Sequence, residues 1–196
     1  MAASISSHIA TVALLRHGGS HLIRPIVARL GFEIIEPGNF GAPINEAQGP
    51  VIVFLRDPRD RMVATHRWWI AKPRKAASMA AGGDTADAQI AWLLTEGEFL
   101  PEMLRWARIW CQWPGALSVR FEYLRAFESA EVALIAAHLG LGPDHERDEM
   151  IFTEVYARGR TYTGSHSDWR ETFGPLSNMA WAKNGGAELL ELMGYE

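Results

Sequence analysis

Apolar positions along this chain switch between continuous runs and a helical repeat. Thr11-Val-Ala-Leu-Leu15 is a run of the kind found in a strand buried on both faces, and it ends in a polar corner, Arg16-His-Gly-Gly-Ser-His21. Leu22, Ile23, Ile26, Val27 and Leu30 then recur at helical spacing. Ser20 stands where a cap is expected, and Pro25 reads as part of a first turn, where its missing N–H costs little. Gly31 closes this helix, and Phe32 to Ile35 reads as a short strand ending at Glu36-Pro37-Gly38. Residues 37 to 50, rich in proline and glycine, read as loop, and Val51 to Leu55 is a second continuous apolar run. Another polar corner follows, Arg56-Asp-Pro-Arg-Asp60, with Asp57 as N-cap, Pro58 at the first helical position, and Met62, Val63, His66, Trp69 and Ile70 on an inner helix face.

Strand, corner and helix have thus occurred twice, and the pattern continues. Leu100, Met103, Leu104, Ala107, Trp110 and Cys111 mark a helix, Ala116 to Phe121 a strand, and Val132, Ile135, Ala136 and Leu139 a helix stopped by Gly140 and Gly142. Trp181 to Tyr195 reads as a closing helical segment interrupted at Gly185-Gly186. The alternation predicts an α/β fold of three layers, with a central, mostly parallel sheet flanked by helices and ligands outside the carboxyl ends of its strands. Residues 71 to 95 break the pattern: Lys72-Pro-Arg-Lys75 and an alanine- and glycine-rich stretch read as a mobile lid or substrate loop in an otherwise single domain. Trp106, Trp110 and Trp113, at helical spacing, read as core rather than as a sugar platform.

Composition narrows the partners. The 196 residues are 48% hydrophobic, enough for a substantial core, and the formal net charge of −4 argues against a nucleic-acid binder while leaving room for one local basic pocket. Cys111 is the single cysteine, so neither an internal disulfide nor a cysteine-based zinc motif is expected, and its apolar neighbours suggest a buried structural thiol. The first residues lack a signal-peptide pattern and no later run could span a bilayer. The expectation is a cytoplasmic protein with neither nucleic acid nor membrane as partner; its oligomeric state stays open.

The chemistry lies in the two corners. Backbone N–H groups at a helix start, the positive end of the helix dipole, Arg16 beside them, and Gly18 and Gly19 allowing close approach make a site for a phosphate or sulfate. Four stretches in this order resemble the sulfotransferase family, which moves a sulfuryl group from 3′-phosphoadenosine 5′-phosphosulfate (PAPS) and leaves 3′-phosphoadenosine 5′-phosphate (PAP). Leu15-Arg-His-Gly-Gly-Ser-His21 resembles its 5′-phosphosulfate loop, which implies cofactor contacts from Arg16, His17, Gly18, Gly19, Ser20 and His21. Val53-Phe-Leu-Arg-Asp-Pro-Arg-Asp60 resembles the 3′-phosphate strand and corner, implying Arg56 as phosphate ligand. Val119-Arg-Phe-Glu-Tyr-Leu124 resembles a Tyr-Glu-Asp-Leu segment and implies Phe121 at the cofactor; Gly164-Ser-His-Ser-Asp-Trp-Arg170 resembles the late Gly-x-x-Gly-Asp-Trp-Lys segment.

The resemblance implies in-line transfer to a hydroxyl or amine of a small-molecule or carbohydrate acceptor, with Arg16 stabilising charge on the leaving oxygen and no metal required. This chain also departs from the pattern. Ala64, with Thr65 beside it, stands where the family has a serine, and His21 where an adenine-contacting Trp is common. Arg158 or Arg160, with Tyr162, Thr163 and Gly164, replaces a late Arg-Lys-Gly clamp. The acceptor's proton needs a base: Glu36, at the end of the second strand, is the first choice, His66 the rival and His17 the third. Two alternatives stand beside this reading, a non-catalytic PAP- or PAPS-binding module and a histidine phosphatase using His17 as nucleophile.

Overall fold

The apolar runs become four strands, β1 (His8–Leu14), β2 (Phe32–Ile35), β3 (Val51–Leu55) and β4 (Leu117–Arg120). All pair in parallel in the order β2-β1-β3-β4. The computed structural model describes residues 8–15, 17–37, 47–126, 129–159 and 169–196, with backbone only at 158 and 159. From β1 the chain turns to one side to make β2 and returns to the other side to make β3, so the topological switch point lies between β1 and β3. Those two strands run level, with Leu14 opposite Phe54.

The chain divides into two units, residues 1–55 with 113–163, and residues 56–112 with 164–196. The first holds the whole sheet together with α1 (Ser20–Arg29), α6 (Phe121–Ala126), α7 (Ala130–His138) and α8 (His145–Gly159). Alternate residues of the strands, Ala10, Val12, Ile52, Phe54 and Val119, enter one core with Ile23, Ile26 and Val27 of α1, Val132 and Ile135 of α7, and Ile151 and Val155 of α8. Burying each large aliphatic chain there contributes about 1.5–3 kcal/mol. The chain entering β3 is tied to β1: Gln48 N–H donates to Thr11 Oγ1 at 2.8 Å, and Thr11 Oγ1 donates back to the Gln48 carbonyl. Gly49 is required at this crossing, because its φ is +67° and a Cβ would run into the Ile9 carbonyl. His138 Nε2 donates to the Val51 carbonyl at 2.9 Å.

The second unit is helical: α2 (Pro58–Ile70), α3 (Pro73–Met79), α4 (Ala86–Thr95), α5 (Phe99–Trp110), α9 (Pro175–Lys183) and α10 (Gly186–Met193). Met79, Ile90, Leu93, Leu100, Met103, Trp106 and Trp110 are buried, in agreement with the core reading of the last two. Asp87, in the first turn of α4, reaches the start of α9 and accepts from the N–H groups of Gly174 (2.9 Å), Leu176 (3.1 Å) and Ser177 (2.9 Å), and from the Ser177 hydroxyl. It thus satisfies donors that a helix start leaves open.

Several expectations need correction. Residues 71–95 are mostly helical rather than loop, since Met79, Ile90, Leu93 and Leu94 are buried and reward helix formation there. Ser20 is the first residue of α1 and Gly19 its N-cap, without a side-chain bond. Pro25 is therefore the sixth helical residue, beyond the first turn, and the helix forgoes the bond its N–H would give. The last strand stops at Arg120, and Phe121 opens α6. The chain does break at Gly185, which has φ +94°, between α9 and α10.

Partial burial pushes the Asp87 carboxyl up, but the hydrogen bonds from Ser177, Leu176 and Gly174 outweigh it and hold its pKa below the usual carboxylate value. A carboxylate with a lowered folded pKa contributes stability above its unfolded value of about 3.9 and loses it as pH falls through the folded one. Asp87→Asn is expected to cost about 1–2 kcal/mol at neutral pH. Denaturant unfolding of both proteins across pH should show that gap closing only below about pH 4.

Candidate functional site

The first corner follows β1. The Gly18 N–H donates to the Leu15 carbonyl at 3.0 Å, which folds the chain back, and His17 lies in the left-handed region at φ 61°, uncommon for a residue with a side chain. Gly19, with φ +97°, lies against aromatic rings: a Cβ there would be 2.5 Å from Phe121 Cδ2 and 3.3 Å from Phe54 Cε1. Those rings meet edge to face at a centroid distance of 6.4 Å. Helix α1 starts with glycine as its N-cap and no acidic residue in its first turn, so the positive end of its dipole is left without a carboxylate of its own helix. Arg16 lies outside the described residues.

The second corner follows β3 and belongs to the helical unit. Asp57 caps α2 by accepting from the Arg59 N–H at 2.8 Å, and its other carboxylate oxygen takes Arg59 Nη2 at 2.7 Å. Arg59 also donates to the Glu196 carbonyl at 2.7 Å and lies 4.2 Å over the Trp169 ring. Asp60 accepts from the Trp169 N–H at 2.8 Å. Both acids of the corner are thus engaged by partners that brace it. Arg56 is half-buried, and one helical turn on Arg61 is 1% exposed.

Arg61 is the residue that sequence reasoning missed. Burial lowers its pKa to about 9, Glu102 opposes the shift, and the Arg56 charge adds to it. The two guanidinium groups thus feel each other's charge, with Glu102 acting on Arg61 more strongly than Arg56 does. The available signal was position: Arg61 falls on the inner face of α2 with Met62, Thr65 and His66. Arginine is so seldom fully buried that the pattern reads as surface.

The other predicted residues are placed as follows. Ala64 is partly buried and Thr65 fully buried, its hydroxyl donating to the Arg61 carbonyl at 2.9 Å. His66 is 5% exposed, with Nε2 2.8 Å from Gln89 Oε1. Since Gln89 Nε2 donates to the Gly83 carbonyl, its oxygen faces the histidine, which assigns the proton to Nε2. Glu36 forms a two-pronged ion pair with Arg24. Register pairs Ile35 with Thr11, so β2 ends about 10 Å short of the β1 tip, at roughly 3.3 Å per residue, and Glu36 stands beside α1 below the corner. Arg160, Tyr162, Thr163 and Gly164, and the side chain of Arg158, lie outside the described residues. Cys111 is partly buried, and desolvation pushes its thiol up to about 12, in keeping with a structural role.

Comparison with known proteins gives a structural answer. The fold is similar to that of the crystal structure of mouse sulfotransferase SULT7A1 complexed with PAP, with a TM-score of 0.68 and 15% sequence identity over 95% of this chain and 84% of that one. No protein-family model matches this sequence, and neither does any curated protein. The chain has the sulfotransferase fold: a parallel four-stranded sheet flanked by helices.

The contact between Gly19 and Phe121 makes a prediction. Gly19→Ala is expected to destabilise by about 1–3 kcal/mol through overpacking and left-handed strain together. Gly31→Ala supplies the control, because Gly31 has φ +90° but nothing within 4 Å of its would-be Cβ. Chemical denaturation should show the Gly19 variant losing more than the Gly31 variant by about 1 kcal/mol or more.

Proposed function

We propose that this protein is a PAPS-dependent sulfotransferase acting on a hydroxyl or amine of a small-molecule or carbohydrate acceptor by in-line displacement, and that it works in the cytoplasm. The observation that carries the reading is the helix start left without a carboxylate of its own at the switch point of a sheet with the sulfotransferase fold. Arg56 adds a cation as the residue directly after the neighbouring strand.

The residues present fit such a donor. Backbone N–H groups at Gly19, Ser20 and His21 suit an oxyanion, and Gly18 and Gly19 leave the backbone open to close approach. Arg56, with Arg61 raising the positive potential beside it, suits the 3′-phosphate. PAPS supplies a sulfuryl group already activated by its anhydride link to phosphate. In our reading Arg16 and the N–H groups of the first corner stabilise charge on the departing oxygen, while the corner after β3 sets the direction of the nucleotide. Phe121, packed beside Gly19, flanks the same corner. Arg158 or Arg160, with Tyr162, Thr163 and Gly164, completes the 3′-phosphate clamp in this proposal.

For the proton, Glu36 is preferred to His66. A base must reach the acceptor within hydrogen-bond distance: Glu36 is exposed but has to leave its ion pair with Arg24 to take a proton, whereas His66 is closed in and its Nε2 proton is spent on Gln89. His17, at the bend of the first corner, is the remaining choice.

Calorimetry tests the nucleotide. PAP is expected to bind about 10-fold or more tighter than AMP, a difference of about 1.4 kcal/mol, and Arg56→Ala should erase that preference. Equal binding of the two nucleotides by the unaltered protein overturns the proposal. For the base, Glu36→Gln is expected to lower turnover by about 10²-fold or more while PAP affinity holds. Unchanged turnover in that variant removes Glu36 from the mechanism.

A further inference from the structure

The turn between α2 and α3 is unlike the rest of this acidic chain. From Arg61 to Gly83 there is no aspartate or glutamate, while Arg61, Arg67, Lys72, Arg74 and Lys75 are all cations. Arg61 is buried, and the other four are exposed. The six residues 70–75 are exposed one after another, so the turn lies at the surface of its unit. Two large apolar side chains share it, Trp68 at 44% and Ile70 at 48% exposure.

Two of these cations lie over aromatic rings. Lys72 lies over the Trp68 ring at 5.7 Å and Lys75 over the Trp69 ring at 4.2 Å. Trp69 is itself braced edge-on by Phe99 at 5.4 Å. Among the described residues, Lys72, Arg74 and Lys75 form no ion pair with a carboxylate. Their charge is therefore available to an external anionic surface.

We propose that this turn attaches the protein peripherally to anionic lipid, with Trp68 and Ile70 entering the headgroup boundary and Lys72, Arg74 and Lys75 facing the lipid phosphates. Cation attraction and shallow apolar insertion are the two forces that hold proteins at such an interface, and residues 68–75 supply exposed side chains for both. A soluble polyanion would use the cations, but it gives no role to an exposed isoleucine, which can neither stack nor hydrogen-bond. The expectation of no membrane partner rested on the absence of a spanning run. Peripheral attachment needs none, and among the described residues no helix is long and apolar enough to cross a bilayer.

Vesicle flotation of the full chain tests this, using phosphatidylcholine alone or with about a third phosphatidylglycerol, at about 0.1 M and about 0.5 M salt. The protein is expected to float with the anionic vesicles, to stay behind with the neutral ones, and to release at the higher salt. The triple variant Lys72→Gln, Arg74→Gln, Lys75→Gln should lower partitioning by about 10-fold or more, and Trp68→Ser with Ile70→Ser by about 5-fold or more. Ile70→Ser alone, at an exposed position, serves as the milder variant should the double change shift the unfolding midpoint. Failure of the unaltered protein to float with anionic vesicles overturns the proposal, as does equal flotation with neutral ones. Full vesicle binding by Ile70→Ser and by the double serine variant, alongside heparin binding lost in the triple variant, would make the turn a polyanion site and would equally overturn it.

Discussion

Parallel pairing of β1 with β3 is the constraint from which the rest follows. Parallel neighbours cannot be joined by a tight turn, so the chain must leave each strand at the same edge of the sheet and return by a crossover. Here it leaves β1 toward β2 and later leaves β3 toward β4, in opposite directions. Nothing in the sheet fills the divergence above Leu14 and Phe54, which face each other in register. Strand order alone thus marks that edge as the place where a sheet of this kind receives a ligand.

The corners that follow β1 and β3 are made positive by different means. In α1 the helix itself supplies the field, because neither an acid nor a side-chain cap offsets the dipole at its start. In α2 the dipole is already answered by Asp57 and Asp60, one gripping Arg59 and the other accepting from Trp169. The cationic groups of the second corner are therefore guanidiniums, Arg56 together with the buried Arg61, whose charge Glu102 partly offsets. A formal charge of −4 over the whole chain is compatible with both, since a local field depends on which charges are nearby and unscreened.

What the sequence revealed follows the same physics. Continuous apolar runs such as Val51 to Leu55 admit few readings, and a cap followed by proline, as in Asp57-Pro58, marks a helix start with little ambiguity, so strands and corners were legible. α8 was not, because most of its positions are polar and its hold on the core depends on Ile151 and Val155. The helices within residues 71–95 were hidden by their alanines and glycines, and it is burial of Met79, Ile90 and Leu93 that decides their state. Arg61 escaped notice because its burial is a tertiary fact. Glu36 was legible as a residue at a strand end, but the register that sets it below the β1 tip, and its pairing with Arg24, belong to the folded chain.

Gly19 shows how a local motif can carry a long-range requirement. Read along the chain, its role is to let an anion approach the backbone. In three dimensions the space where its Cβ would be is taken by Phe121, the first residue after β4, about a hundred residues away. The glycine thus serves packing and backbone conformation together, and Phe54 on β3 joins the same contact. Any side chain at position 19 would push either the ring or the corner, so the corner's shape is set by the sheet beneath it as well as by its own turn. This gives a physical reason for the stretch around Phe121 to accompany the glycine corner: the two are halves of one packed contact at the carboxyl edge of the sheet.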